Sequence, residues 1–273
     1  MDTPVFRLNE EVKIPLLGFG TYQLEGKECY QAVRAALEIG YCHIDAAEDY
    51  KNQEFVGRAI KDSGIPRENL FLTSKVWWTN LKKRDVFEAC YKTLEDLGVN
   101  YLDLYLVHWP NREIPFEETF SAMRELKERG LIKGIGVSNF TVHHLEDALK
   151  TKAEIVNNQV EFHPSFNQKE VKQFCDEKGI LITAYCPLGQ GRDLKLEIVK
   201  RIAEKYQRSP AQVILNWLRM KNIVAIPRST KLDHIRDNFQ SLTWKMEPED
   251  VQLIDQAKQE EKIIQRWFGD FDY

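Results

Sequence analysis

Short apolar runs alternate along the chain with longer segments of helical spacing. The runs predict eight strands, at Leu16–Phe19, Tyr41–Asp45, Leu70–Trp77, Leu102–Trp109, Ile132–Val137, Ile155–Val160, Ile180–Ala184 and Ile223–Ile226. Between them, Val86, Cys90, Leu94 and Leu97 form one apolar stripe and Phe116, Phe120, Met123 and Leu126 another, the mark of helices that bury a single face. Leu102-Asp103-Leu104-Tyr105-Leu106-Val107 is mostly apolar on both faces, as expected of a parallel strand covered by helices on one side and filled by side chains on the other. Punctuation agrees with this order. Ser209-Pro210-Ala211-Gln212 reads as an N-cap, a first-turn proline and a capping-box glutamine that open a helix through Trp217. Gly40, Gly64, Gly98, Gly130 and Gly179 stand where a left-handed C-cap is needed between helix and strand.

With 273 residues, the chain is long enough for two ordinary domains or for one α/β barrel. No Pro/Gly/Ser-rich linker interrupts the alternation, which predicts one domain over 1–273. A doubly wound sheet would announce a dinucleotide site by GxGxxG after its first strand. Both Gly18-Phe19-Gly20 and Gly134-Ile135-Gly136 lack the third glycine, so the repeat favours a closed (β/α)8 barrel.

Composition narrows the partner. Hydrophobic residues make up 43% and charged residues 29%, enough for a large core and unlike a disordered chain. The formal charge of −4 offers no basic excess for nucleic acid or an anionic membrane, so a small molecule is the expected partner. Five scattered cysteines without a CxxC pair indicate neither a disulfide frame nor a zinc site and suit a reducing compartment. The polar stretch from Met1 to Glu11, broken by Pro4, lacks a secretory pattern, and no apolar run is long enough to span a bilayer. The expected location is the cytoplasm.

In a barrel, chemistry gathers at the C-terminal ends of the strands, and unusual polar residues fall there. Asp45 ends the second strand, Lys75 lies in the third and His108 follows the fourth. Ser138 and Asn139 end the fifth, Gln159 sits in the sixth, Tyr185 ends the seventh, and Arg228 and Ser229 follow the eighth. A lysine inside an apolar strand needs a counter-charge, for which Asp45 on the neighbouring strand is the candidate; a purely structural ion pair would satisfy the same need. Tyr50, five residues after Asp45, can return over the barrel mouth. Its phenol is too weak an acid at neutral pH, and the expectation is that an adjacent ammonium, kept charged by a carboxylate, lowers its pKa. A neutral His108 would orient a carbonyl.

These residues, in this order, resemble the aldo-keto reductase superfamily from about Leu8 to about Asn238. The resemblance rests on Pro15-Leu16-Leu17-Gly18-Phe19-Gly20-Thr21, His43-Ile44-Asp45-Ala46-Ala47 with Tyr50, Thr73-Ser74-Lys75-Val76-Trp77 and Asp103-Leu104-Tyr105-Leu106-Val107-His108-Trp109-Pro110. It continues through Ile135-Gly136-Val137-Ser138-Asn139-Phe140, Asn158-Gln159-Val160-Glu161-Phe162-His163-Pro164, Ala184-Tyr185-Cys186-Pro187-Leu188-Gly189 and Ile226-Pro227-Arg228-Ser229. It implies a compact microbial-type member with an N-terminal β-hairpin, a C-terminal extension and a tetrad of Asp45, Tyr50, Lys75 and His108. Tyr50 would be the proton donor for reducing an aldehyde or ketone as a monomer. It further implies a nicotinamide stacked on Tyr185, with its carboxamide held by Ser138, Asn139 and Gln159. Gly20, Thr21, Tyr22, Asp45, Cys186, Leu188 and Gln190 would complete the nearer cofactor contacts, and Arg228, Ser229, Thr230, His234 and Asn238 those around the adenosine phosphate. Tyr22, Trp77, His108 and Trp109 would line the substrate pocket.

Where the family commonly has lysine this chain has Arg228, and where it has arginine this chain has His234. NADP(H) is therefore expected as the cofactor, with weaker discrimination against NAD(H). Cys186 stands where serine is usual and is expected to be inert packing. Ser138-Asn139 has a plainer reading as an N-cap before a helix at Thr141, and Tyr185 as an ordinary rim aromatic. The loop Gly189-Gln190-Gly191-Arg192-Asp193 is short, so no long belt over the cofactor is expected. The tail Ile263-Ile264-Gln265-Arg266-Trp267-Phe268-Gly269-Asp270-Phe271 departs from the usual ending, and its aromatics are read either as a lid on the pocket or as packing on the barrel exterior. Two competing readings use the same barrel: an aldolase-type lyase with Lys75 as Schiff-base nucleophile, and a nucleotide-binding protein without catalysis.

Overall fold

The computed structural model describes residues 4–9, 12–260, 262–266, 268, 270, 271 and 273. The expected hairpin is present, with β1 (Val5–Arg7) antiparallel to β2 (Lys13–Pro15). Every one of the eight apolar runs overlaps a strand. These are β3 (Phe19–Gly20), β4 (His43–Asp45), β5 (Phe71–Val76), β6 (Leu102–Val107), β7 (Ile132–Ser138), β8 (Ile155–Glu161), β9 (Leu181–Tyr185) and β10 (Val224–Ala225), parallel and neighbouring in chain order. Closure comes from a parallel bridge between Leu17 and Ala225. Around it Gly18 N donates to Ala225 O at 2.9 Å, Ala225 N to Leu16 O at 3.0 Å and Gly20 N to Pro227 O at 3.2 Å.

Helices α1 (Gly26–Ile39), α2 (Gln53–Ser63), α3 (Lys83–Leu97), α4 (Phe116–Glu128), α5 (Val142–Lys150) and α6 (Lys169–Lys178) follow successive strands. Then come α7 (Glu197–Tyr206), α8 (Pro210–Met220), α9 (Leu232–Gln240) and α10 (Pro248–Asp255). Among the described residues no helix is long and apolar enough to cross a membrane.

The two-residue period of each strand sorts side chains into two cores. Tyr105 and Val107 of β6 face the helices and join the large outer core, which includes Val86, Leu94 and Phe120. Leu104 and Leu106 belong to a smaller cluster with Phe71, Val156 and Val224. Leu8, Val12 and Ile14 of the hairpin region join that cluster and plug the end of the barrel opposite the strands' C-termini.

The five inter-element glycines all have positive φ, from 63° at Gly98 to 117° at Gly40, the conformation in which a Cβ would be strained. At Gly18 the requirement is steric: a Cβ would stand 2.5 Å from Nδ1 of the buried His43. Two capping expectations are corrected. Ser209 does accept from Gln212 N at 3.1 Å, but the Gln212 side chain donates from Nε2 to Asp237 Oδ1 at 2.7 Å instead of returning to the cap, because the carboxylate on α9 draws the amide away from the Ser209 N–H. The N-cap of α5 is Thr141, whose partner in a reciprocal capping box is His144, so Ser138 and Asn139 are not spent on capping.

Candidate active site

Strand periodicity explains why polar side chains converge on one rim. Phe71, Thr73 and Lys75 share the inward face of β5, while Ser74 points outward and donates to Gln53 of α2 at 2.6 Å. Lys75 Nζ, fully buried, donates to Asp45 Oδ1 at 2.5 Å, to Ala46 O at 2.8 Å and to the Tyr50 hydroxyl at 3.2 Å. Its three N–H groups thereby have three acceptors. The other carboxylate oxygen of Asp45 accepts from Gln159 Nε2 at 2.7 Å, a bond across the barrel from β8 to β4. Tyr50 is brought back to this pair by a single 3-10 turn, Glu48–Tyr50, directly after β4. Thr21, buried behind, donates from Oγ1 to Asp45 O at 2.8 Å.

His108 sits 5.6 Å, ring centre to ring centre, from Tyr50 and 5.2 Å from Trp77. Burial, then the charges of Lys75 and Arg266, hold its imidazole well below the ordinary histidine value, so it is neutral, as the sequence reading requires. Among the described residues its buried Nδ1 has no hydrogen-bond partner. Burial also pushes the Tyr50 phenol well above its ordinary value, with Asp45 acting in the same direction. This corrects the expectation of a lowered pKa: the desolvation of a phenolate outweighs the ammonium. The resting group is a protonated phenol whose oxygen already accepts from an ammonium.

A cleft of about 510 Å³ opens over this cluster. On one side it is walled by Trp77, Trp109 and Tyr22, the expected substrate residues, and on the other by Ser138, Asn139, Gln159, Tyr185, Leu188 and Gln190. Gly20, Cys186 and Arg228 also border it. Tyr185 donates to Asn139 Oδ1 at 2.7 Å, and Asn139 Nδ2 donates to His108 O at 3.0 Å; the Asn139 backbone is left-handed, with φ of 65°. Ser138 Oγ donates to Gln159 O at 2.8 Å. Two amides, a hydroxyl and an aromatic ring thus share one wall, and Arg228 adds an exposed cation. This donor set fits an aromatic carboxamide with a phosphate beyond it. Burial pushes the Cys186 thiol up to about 11, which keeps it protonated and agrees with inert packing. Ser229, Thr230, His234 and Asn238 are not among the cleft's lining residues; His234 is exposed on α9.

Several participants escaped the sequence reading. Glu48 accepts from Trp77 N at 2.7 Å and from Asn80 Nδ2 at 2.6 Å, and so fixes one wall. Asp49 lines the cleft beside Tyr50. The tail resolves as a lid: Phe268 stacks on Trp78 at 4.6 Å and meets Trp77 and Trp109 edge-on at 5.5 and 5.6 Å. Phe271 also meets Trp109. Ile264 and Arg266 border the cleft, and Arg266 Nη2 donates to the Tyr22 hydroxyl at 3.1 Å. Trp267 and Gly269 lie outside the described residues.

A family model described as the aldo/keto reductase family matches residues 16–259. The chain belongs to that family. The match extends past Asn238, where the resemblance was expected to fade, through α10. This aldo/keto reductase is similar to the glyoxal reductase of Bacillus subtilis, at 44% identity over 260 residues and 94% of each chain. It is also similar to the 9,11-endoperoxide prostaglandin H2 reductase of Trypanosoma cruzi, at 40% identity over 261 residues, 94% of this chain and 92% of that one. Among solved structures, an aldo/keto reductase from Brucella melitensis superposes with a TM-score of 0.89 at 39% identity, over 93% of this chain and 98% of that one. The protein is an NAD(P)H-dependent oxidoreductase with the (β/α)8 fold of the family.

Proposed function

We infer that the protein reduces aldehydes or ketones to alcohols with NADPH, and that Tyr50 donates the proton. The observation that carries the reading is Lys75 Nζ bonded at once to Asp45 and to the Tyr50 hydroxyl, at the floor of a cleft that Tyr185 also lines. A reduced nicotinamide held beside Tyr185 would supply the hydride to the carbonyl carbon. Tyr50 gives its proton to the carbonyl oxygen as that oxygen gains charge, which completes the alcohol. Lys75 stabilises the phenolate left behind, and Asp45 keeps the ammonium charged. Neutral His108 orients the carbonyl oxygen. Ser138, Asn139, Gln159 and Tyr185 would hold the nicotinamide, and Arg228, with Ser229 and Thr230, the adenosine phosphate. The Schiff-base alternative is disfavoured because the Asp45 carboxylate, 2.5 Å from Lys75 Nζ, opposes the lowering that burial imposes on the amine and favours the ammonium, which has no lone pair to attack a carbonyl. The same reading takes 1–273 as one domain acting as a monomer in the cytoplasm. Its support is a cleft completed by the chain's own tail and five scattered cysteines without a CxxC pair.

A panel of carbonyls followed by loss of reduced-cofactor absorbance, with glyoxal and methylglyoxal first, tests the reading. With His108 held neutral and Tyr50 held protonated, kcat/KM for reduction stays flat between about pH 6 and pH 8. The expected pH profile carries no inflection at the ordinary histidine value, and a step there would show that His108 titrates in the working enzyme. The His234→Arg variant is expected to raise selectivity for NADPH over NADH by about five- to tenfold through an added charged donor. An unchanged ratio of the two kcat/KM values would place residue 234 out of reach of the phosphate.

A further inference from the structure

Behind β8 lie three buried ionisable side chains that the proposed chemistry does not use: Glu161, His163 and Asp193. His163 bridges the carboxylates, with Nε2 3.3 Å from Glu161 Oε1 and Nδ1 2.9 Å from Asp193 Oδ2. A ring with a carboxylate at each nitrogen donates to both only when doubly protonated. Burial opposes that charge, yet Asp193 and Glu161 hold His163 above the usual histidine range. Asp193 also accepts from Ser165 N at 2.9 Å and from Ser165 Oγ at 2.6 Å. Arg192 donates to the same Ser165 hydroxyl at 2.9 Å and pairs with Glu260 at 3.3 Å.

Among the described residues, the other donors to the Glu161 carboxylate come from a segment a hundred residues away. Ile263 N donates to Oε1 at 2.6 Å and Ile264 N to Oε2 at 2.8 Å. A buried carboxylate short of donors is costly, so the ionised Glu161 favours the seated tail over a displaced one. The next residues along are those that wall the cleft: Ile264 itself, and Arg266 with its bond to Tyr22.

We propose that Glu161, backed by His163 and Asp193, is a positioning residue that latches the tail segment 262–266 onto the barrel and thereby sets the substrate side of the cleft. The proposal rests on the reading that this cleft takes a carbonyl substrate. Glu161→Gln keeps the size of the side chain but replaces one accepting oxygen by a donor.

In the full-length variant, KM for the carbonyl rises about tenfold while kcat stays within about twofold, and the dissociation constant for NADPH, read by fluorescence, is unchanged. Amide hydrogen exchange at 262–266 speeds up at least about tenfold, a readout that needs no turnover. Phe268→Ala, which frees the tail at its aromatic end, raises KM as well, and its effect is less than additive with Glu161→Gln because both act through one segment. Strictly additive effects, unchanged exchange at 262–266, or a fall in kcat alone overturns the latch. Absence of NADPH consumption by the unaltered enzyme overturns the carbonyl reading instead, and exchange at 262–266 still decides the latch.

Discussion

Tyr50→Phe lowers kcat for carbonyl reduction by about 10³-fold, within the 10²–10⁴ range that a positioned proton donor contributes, while NADPH binds with an affinity within about twofold of the original. The split follows from geometry. The hydroxyl touches Lys75 Nζ at 3.2 Å, and the ring rests against Tyr22 and His108 at 5.1 and 5.6 Å. Removing one oxygen leaves the ring packing and the Tyr185 wall in place and takes away only the proton. Steady-state kinetics with fluorescence titration of the cofactor checks both halves. Retained turnover would remove Tyr50 from its role, and a parallel loss of cofactor affinity would show that the substitution deforms the wall.

Lys75→Met carries the second large effect, and it separates stability from chemistry. Lys75 and Asp45 are both buried, at 0% and 2% side-chain exposure. Removing one partner strands a carboxylate whose remaining side-chain bond is the one from Gln159. Such a loss costs about 3–5 kcal/mol, which lowers Tm by on the order of 10 °C in a chain of this size. The double variant Lys75→Met/Asp45→Asn removes both charges together. It recovers most of the stability, yet remains at least about 10²-fold less active because the phenol has lost its ammonium. Thermal melts and kinetics on the three proteins suffice. If the double variant melts as low as Lys75→Met, the lost stability lies in packing and not in a stranded charge.

The barrel was legible because its rules are local and periodic. A two-residue alternation in β5 and β6 decides which side chains turn inward, and the same alternation that buries Phe71 carries Lys75 to the mouth. The turn from Asp45 to Tyr50 is short enough that spacing alone constrains the phenol. Three kinds of feature were not legible. The direction of the Tyr50 shift depends on how far the hydroxyl is withdrawn from water, which spacing does not report, and burial there prevails over the ammonium. The tail contacts join residues more than a hundred positions apart, as in Glu161 with Ile263 and Tyr22 with Arg266, and no periodic pattern links them. Gln212 shows a third case in miniature: a local capping signal was overridden by Asp237 on another helix.

The account stands on hydride arriving at a carbonyl carbon in this cleft while the chain supplies the proton, and isotope transfer tests it directly. With NADPH deuterated at both nicotinamide C4 positions and methylglyoxal as substrate, the product alcohol carries deuterium on the former carbonyl carbon, with one NADPH consumed per alcohol formed. An alcohol without the label at that carbon, or no consumption of the cofactor across the carbonyl panel, would contradict it.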